Sequence, residues 1–193
     1  MKTRLAADVG DDAALEAYRE LAELAFGSAV RATAGRVVVA CTPDSALEEI
    51  RAWTARTGAA PMHCVPQGAG DLGERLARAA DDAFRDGAQA AVVIGTDCPA
   101  LTSAMLNDAF SLLDNTDVVL GPAHDGGYYL IGLRAPRHEL FAGIPWSTPR
   151  VLAMTIEAAR QGDLRISLLA PLSDIDTAAD WRAWRAWRAL TES

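Results

Sequence analysis

A chain of 193 residues, half of them apolar, is long enough to bury one sizeable α/β core, and a single domain over 1–193 is the expectation. Its formal net charge of −8 argues against a general nucleic-acid binder, yet a few local cations and a metal could still hold a small phosphorylated ligand. With no apolar run of membrane-spanning length, no hydrophobic leader in Met1–Asp8, and Cys41, Cys64 and Cys98 in neither disulfide nor zinc spacing, the expectation is a cytoplasmic protein with reduced thiols and no membrane partner.

Met1–Val9 is short and polar, with Lys2 and Arg4 close together. Asp11 or Asp12 can cap a helix running to about Thr33, because Leu15, Tyr18, Leu21, Leu24 and Ala25 recur at helical spacing. Arg36–Cys41 reads as a buried strand, and a helix over roughly Ser45–Thr57 carries Leu47, Ile50 and Trp53 on one face. Met62–Pro66 is a short strand. Gln67–Arg75 (QGAGDLGER) then leads into a helix over Leu72–Phe84. Glycines at such an entry let backbone N–H groups approach an anion, or they simply turn the chain. Their spacing matches neither a Walker loop nor a dinucleotide fingerprint.

Val92–Leu101 (VVIGTDCPAL) follows. Val92, Val93 and Ile94 suit a buried, central strand within Ala90–Gly95, and Thr102 can cap the helix Thr102–Leu113. Asp97 therefore sits just past the carboxyl end of a strand, the edge where open α/β sheets bind ligands. A carboxylate there can hold a hard divalent cation carrying phosphates. Asp117–Gly121 is the next strand, and the alternation predicts a parallel, helix-covered sheet with right-handed crossovers.

The pattern changes at His124–Tyr129, where Asp-Gly-Gly between two apolar runs signals a hairpin. Asp125 is a turn former or a functional carboxylate, and Gly126 and Gly127 could form a floor for a ligand. In Phe141–Val151, Trp146 between Pro145 and Pro149 either stacks on a sugar or base or fills the core. Ser147 or Thr148 is the expected cap of the next helix, with Pro149 in its first turn. Arg165–Leu169 is the last strand. Asp174 and Asp176, one residue apart in an extended segment, point to the same face, and Thr177-x-x-Asp180 resembles a capping box. If both face Asp97, only a cation would stabilise the three charges. The tryptophans and arginines of the final helix, Thr177–Leu190, read as a packing stripe with a wetter side. No Gly-x-Ser-x-Gly loop or zinc-type histidine spacing occurs, and Cys98 beside Pro99 reads as a small buried residue.

Six segments in order carry a resemblance: KTRL at Lys2–Leu5, QGAGDLGERL at Gln67–Leu76, GTDCPAL at Gly95–Leu101, DGGYYLIGL at Asp125–Leu133, GIPWSTPRVL at Gly143–Leu152 and DIDTAADW at Asp174–Trp181. Together they resemble the glycosyltransferase-like family of the GT-A superfamily often named radical-SAM/selenodomain-associated transferases. That superfamily includes nucleotide-diphospho-sugar transferases and nucleotidyltransferases, with phospholactate guanylyltransferases as close relatives. The resemblance implies a Rossmann-like three-layer α/β/α fold of GT-A type, with a mostly parallel sheet and a late antiparallel piece. It also implies a nucleoside triphosphate or nucleotide sugar as ligand, a small-molecule acceptor, Mg²⁺ or Mn²⁺, and room for a homo-oligomer.

By motif match, Asp97 takes the place of the metal-binding aspartate, and Asp174 and Asp176 hold the second side of the metal. Asp97 and Asp125 are the implied catalytic residues. Lys2, Arg4, Gln67, Gly68, Gly73, Gly126, Gly127 and Trp146 are the implied nucleotide or substrate contacts. The chain departs from the family in two places. The first strand and glycine loop that precede KTRL in relatives are absent here, so the sheet is expected to lack that strand. Asp97 is followed by Cys98-Pro99 rather than by a second aspartate two residues on, which favours nucleotidyl over glycosyl transfer. Three readings follow: a metal-dependent glycosyltransferase-like enzyme, a guanylyltransferase-like nucleotidyltransferase acting on a small phosphorylated acceptor, or a non-catalytic nucleotide-binding relative.

Overall fold

The computed structural model describes residues 3–33, 35–57 and 62–191. In chain order the elements are α1 (Thr3–Val9), α2 (Asp11–Arg31), β1 (Val38–Cys41), α3 (Leu47–Arg56), β2 (His63–Pro66), α4 (Leu72–Arg85) and β3 (Ala91–Ile94). They continue with α5 (Ser103–Leu113), β4 (Val118–Pro122), β5 (Tyr128–Leu133), α6 (Val151–Gln161), β6 (Ile166–Leu168) and α7 (Ala178–Thr191).

β1 and β2 pair in parallel, and the other four strands form a sheet in the order β3-β5-β4-β6. β5 is antiparallel to both β3 and β4, whereas β6 is parallel to β4. Hence β3, β4 and β6 run one way and β5 is the late reversed piece. Val118, Val119 and Leu120 of β4 and Leu130, Ile131 and Leu133 of β5 are fully buried, because helices cover both faces. On one face α5, through Leu106, Ala109 and Leu113, packs with Val92, Ile94 and Val119, joined by Ala29 and Ala32 from the end of α2. On the other, Ala80 of α4 and Ala159 of α6 pack with Val118, Leu120, Ile131 and Leu133.

Four expectations are corrected. β3 is an edge strand rather than the central one. Its ladder runs to β5 alone among the described residues, and all four of its residues are only half-buried. In an antiparallel ladder alternate residues point their N–H and C=O groups away from the partner, so Val92 and Ile94 face outward along the open edge.

The opening segment is helical rather than a polar lead-in, and Gly10, with φ 86°, separates α1 from α2. Gly10 itself occupies the N-cap position of α2, so neither Asp11 nor Asp12 caps; both lie in the first turn, where the helix dipole favours their charge. α1 is held down by Leu5, fully buried with Ala14, Ala17 and Ala178. Finally, α6 has no side-chain cap, because the Thr148 hydroxyl turns back to donate to the Pro145 carbonyl at 2.7 Å.

Other local readings agree with the structure. Thr102 caps α5 by accepting from the Met105 N–H, so the nearby Asp97 is not needed for that task. Asp71 caps α4 in a full capping box with Glu74, which gives the acidic residue of the glycine-rich loop a structural role.

The outer edge of the sheet is tied by Asp117 at the start of β4. Its carboxylate accepts from the Arg165 side chain at 3.1 Å and from the Arg165 N–H at 2.9 Å. The Arg165 guanidinium hydrogen bond, followed by the backbone one, holds the Asp117 carboxyl below its ordinary value. A lowered folded-state value means that this stabilisation is present above the ordinary aspartate range and lost as pH falls through the lowered one. Asp117→Asn is therefore expected to lower stability at neutral pH, with the gap to the parent closing as acid unfolding begins. Urea midpoints measured at several pH values check this; a gap independent of pH would count against the linkage.

Candidate active site

Asp97 lies three residues beyond the last residue of β3, where Gly95 makes room for it. A Cβ on Gly95 would sit 2.7 Å from Asp97 Oδ1, so a larger residue there would push the carboxylate aside. The Asp97 carbonyl accepts the Ile175 N–H at 2.9 Å, which stitches the segment before α7 to this turn. Ile175 is buried, and the alternation of an extended chain then turns Asp174 and Asp176 together out of the core. The Thr177–Asp180 box holds the next turn: Asp180 accepts from the Thr177 N–H at 2.8 Å and its hydroxyl at 2.7 Å.

The result is a convergence of Asp97, Asp174 and Asp176, with one oxygen from each lying within 4.8 Å of the others. All three residues are half-buried. Burial first, then the charges of Asp125, Asp176 and Asp97, push the Asp174 carboxyl above its usual value, against a hydrogen bond from its own backbone. Asp125 thus belongs to the same electrostatic neighbourhood, although it stands outside the three-residue cluster. A donor set of carboxylate oxygens alone, this closely spaced and mutually repelling, suits a hard cation such as Mg²⁺ or Mn²⁺.

Asp125 is exposed in the β4–β5 hairpin, where its Oδ1 accepts the Gly127 N–H at 2.8 Å. This is the turn role allowed from the sequence. Gly126 has φ 91°, and a Cβ there would meet the Pro149 backbone, with its Cα at 2.7 Å. The Gly126 carbonyl also accepts the Leu152 N–H of α6 at 2.9 Å. Gly126→Ala is expected to cost about 2 kcal/mol or more, through both left-handed strain and overpacking. Chemical denaturation of the variant tests this, and parental stability would mean that the hairpin can shift away from Pro149.

The remaining sequence-based candidates divide. Lys2 lies outside the described residues. Arg4, on α1 rather than in a loop, reaches Asp176, with Nη1 at 3.6 Å from Oδ2. The Gln67 and Ala69 carbonyls accept from Arg78, while Arg75 donates to the Gly70 carbonyl at 3.0 Å and to Gln67 Oε1 at 3.3 Å. The glycine-rich loop is therefore braced against α4 by two arginines that the sequence reading passed over. Their only signal was a three-residue spacing just after the glycines, which puts both on one helix face.

Gly73 and Trp146 come together for packing. A Cβ on Gly73 would lie 2.6 Å from Trp146 Nε1, and the indole meets the Tyr128 ring edge-on at 6.3 Å. Trp146 is partly buried and packs against the apolar cluster beneath α4 and α6, the core alternative for this residue. Cys98 is buried, as expected.

Residues 24–148 match a sequence family described as an uncharacterized protein conserved in bacteria, DUF2064. The chain belongs to that family. No curated protein matches it. Among solved structures, a protein from Desulfovibrio desulfuricans G20, provisionally named a nucleotide-diphospho-sugar transferase, superposes on this DUF2064 member with a TM-score of 0.83. Their sequences are 32% identical, over 92% of this chain and 76% of that one. CMP:2-keto-3-deoxy-manno-octonic acid synthetase, solved with CTP, shares the fold at TM-score 0.61 and 12% identity, over 89% of this chain and 88% of that one. Rv0371C of Mycobacterium tuberculosis H37Rv, solved as a manganese complex, shares it at TM-score 0.51 and 19% identity, over 83% and 84% of the two chains. The DUF2064 chain thus has the fold of the nucleotide-diphospho-sugar transferases. None of its described helices is long and apolar enough to cross a membrane.

Proposed function

We propose that this DUF2064 protein is a divalent-metal-dependent transferase of the nucleotide-diphospho-sugar transferase superfamily, of the radical-SAM/selenodomain-associated type and folded as one domain. Its substrates on this reading are a nucleoside triphosphate or nucleotide sugar and a small acceptor. The observation that carries the proposal is the meeting of Asp97, Asp174 and Asp176 beyond the carboxyl end of β3. Both the Desulfovibrio relative and the manganese-bound Mycobacterium structure support it through the shared fold.

Mg²⁺ or Mn²⁺ held by these carboxylates would offset charge developing on the leaving phosphate. The three aspartates bind and orient that cation. Arg4, at the rim, adds positive charge toward phosphate oxygens. Asp125, with Oδ1 engaged by Gly127, keeps Oδ2 to orient an acceptor hydroxyl or take its proton. Gly126 holds the hairpin against Pro149, and Gly127 beside Asp125 would let an acceptor lie close to the backbone.

Nucleotidyl transfer is favoured over glycosyl transfer by one feature. The residue after Asp97 is the buried Cys98, followed by Pro99, where sugar transferases of this fold class carry a second carboxylate nearby. Release of pyrophosphate from a nucleoside triphosphate would establish the first reaction, and release of a nucleoside diphosphate from a nucleotide sugar the second. The broader proposal is tested by melting curves with nucleotides and nucleotide sugars, with and without Mn²⁺. A true ligand at a hundredfold its Kd is expected to stabilise the fold by about 2.7 kcal/mol, and only when metal is present. A flat response to every nucleotide with Mn²⁺ would overturn it.

A further inference from the structure

We infer that Arg4 is an exchangeable counter-ion for the carboxylate site: its guanidinium lies on Asp176 when no metal is bound, and a cation entering the site releases it toward the incoming phosphate. The inference rests on the metal-site reading given above and adds a role for α1 that the fold comparison does not supply.

The geometry has two parts. The backbone at Arg4 is fixed, because the next residue, Leu5, is fully buried among Ala14, Ala17 and Ala178. α1 is also tied to the start of α7, where the Ala178 N–H donates to Asp8 Oδ2 at 3.4 Å. Ala178 lies two residues beyond Asp176, so docking α1 there delivers Arg4 to that carboxylate. The Arg4 side chain itself is 78% exposed and only 3.6 Å from Asp176 Oδ2, so it can swing on its long stem without disturbing the core.

Asp176 also supplies an oxygen to the three-carboxylate cluster. A dication bound there takes up the negative charge that attracts Arg4 and repels the guanidinium at short range. On this reading both cations compete for one carboxylate, and metal binding alone displaces Arg4. The released guanidinium stays at the rim of the site, where its planar fork suits two phosphate oxygens at once. Metal and phosphate should thus bind with positive coupling, as each favours the Arg4 position that the other requires.

The test compares the parent with Arg4→Gln and Arg4→Lys by calorimetric titration of Mn²⁺ alone, then of inorganic pyrophosphate at saturating Mn²⁺. Arg4→Gln is expected to bind Mn²⁺ about three- to tenfold more tightly than the parent at low salt, with the gain shrinking as ionic strength rises. The same variant should bind pyrophosphate more weakly in the presence of Mn²⁺. Arg4→Lys should bind Mn²⁺ much as the parent does. Equal or weaker Mn²⁺ binding by Arg4→Gln would overturn the exchange while leaving the metal site intact. A parent that binds no Mn²⁺ would overturn the metal site and the exchange with it.

Discussion

Replacing Asp97 by Asn is expected to abolish Mn²⁺-dependent nucleotide binding while leaving the metal-free fold as stable as before, or slightly more so. The substitution keeps the size of the side chain and removes one of three converging charges. The main-chain tie that this turn provides, from the Ile175 N–H to the Asp97 carbonyl, does not involve the side chain and survives. Nor is a helix cap lost, since Thr102 serves α5. The substitution also removes one of the charges that, after burial and alongside Asp125 and Asp176, raise the Asp174 carboxyl above its ordinary value. A group whose folded value is raised disfavours the folded state once pH exceeds its unfolded value, so easing the repulsion helps the apo protein most at neutral and higher pH. Melting curves and calorimetric titration of Mn²⁺ plus nucleotide into both proteins measure the two effects side by side. A variant that binds metal–nucleotide as tightly as the parent would place the active site elsewhere, and a destabilised apo variant with normal binding would make Asp97 structural.

The second large effect is expected at Trp146, and it is an effect on folding. The indole fills the space over Gly73 and against the edge of Tyr128, within the cluster that joins α4, α6 and the sheet. Trp146→Ala removes that ring where the surroundings, including the backbone of the first turn of α4, have little freedom to close the gap. A loss of about 3 kcal/mol in folding stability follows, at the lower end for tryptophan truncations because the ring is only partly buried. Nucleotide affinity per folded molecule should change little. Urea unfolding together with nucleotide titration below the melting range decides the matter: unaltered stability with weakened binding would return Trp146 to the ligand cleft.

Much of the fold was legible because its signals are local. Val92–Ile94, Val118–Leu120 and Leu130–Leu133 are apolar runs, and runs of that kind become strands under helices. Thr102, Asp71–Glu74 and Thr177–Asp180 are caps whose chemistry is complete within four residues, and the structure forms all three. The Asp-Gly-Gly hairpin was readable for the same reason.

Features that depend on partners distant in sequence were not legible. Nothing within Val92–Ile94 says whether a strand lies on one side or both, so β3 was expected at the centre and stands at an edge. Trp146 was ambiguous because its fate is set by the missing Cβ of Gly73, more than seventy residues earlier. The arginine brace on the glycine-rich loop was hidden because arginines on a helix usually face water. The site itself stands between these cases. That Asp174 and Asp176 share a face follows from the backbone period, but their meeting with Asp97 depended on family resemblance until the Ile175–Asp97 bond showed the two segments in contact.

That single backbone bond also sets when the site can come into being. As the chain is made from its amino end, Asp97 and its strand are complete long before Asp174 and Asp176 exist. A nascent chain that has not yet released Asp174 carries one carboxylate of the three and has nothing with which to close around a cation. Metal capture, on the proposed reading, would then be a property of the C-terminal segment docked through Ile175 and the first turn of α7, and a chain that cannot dock this segment would lose the site before it lost its sheet.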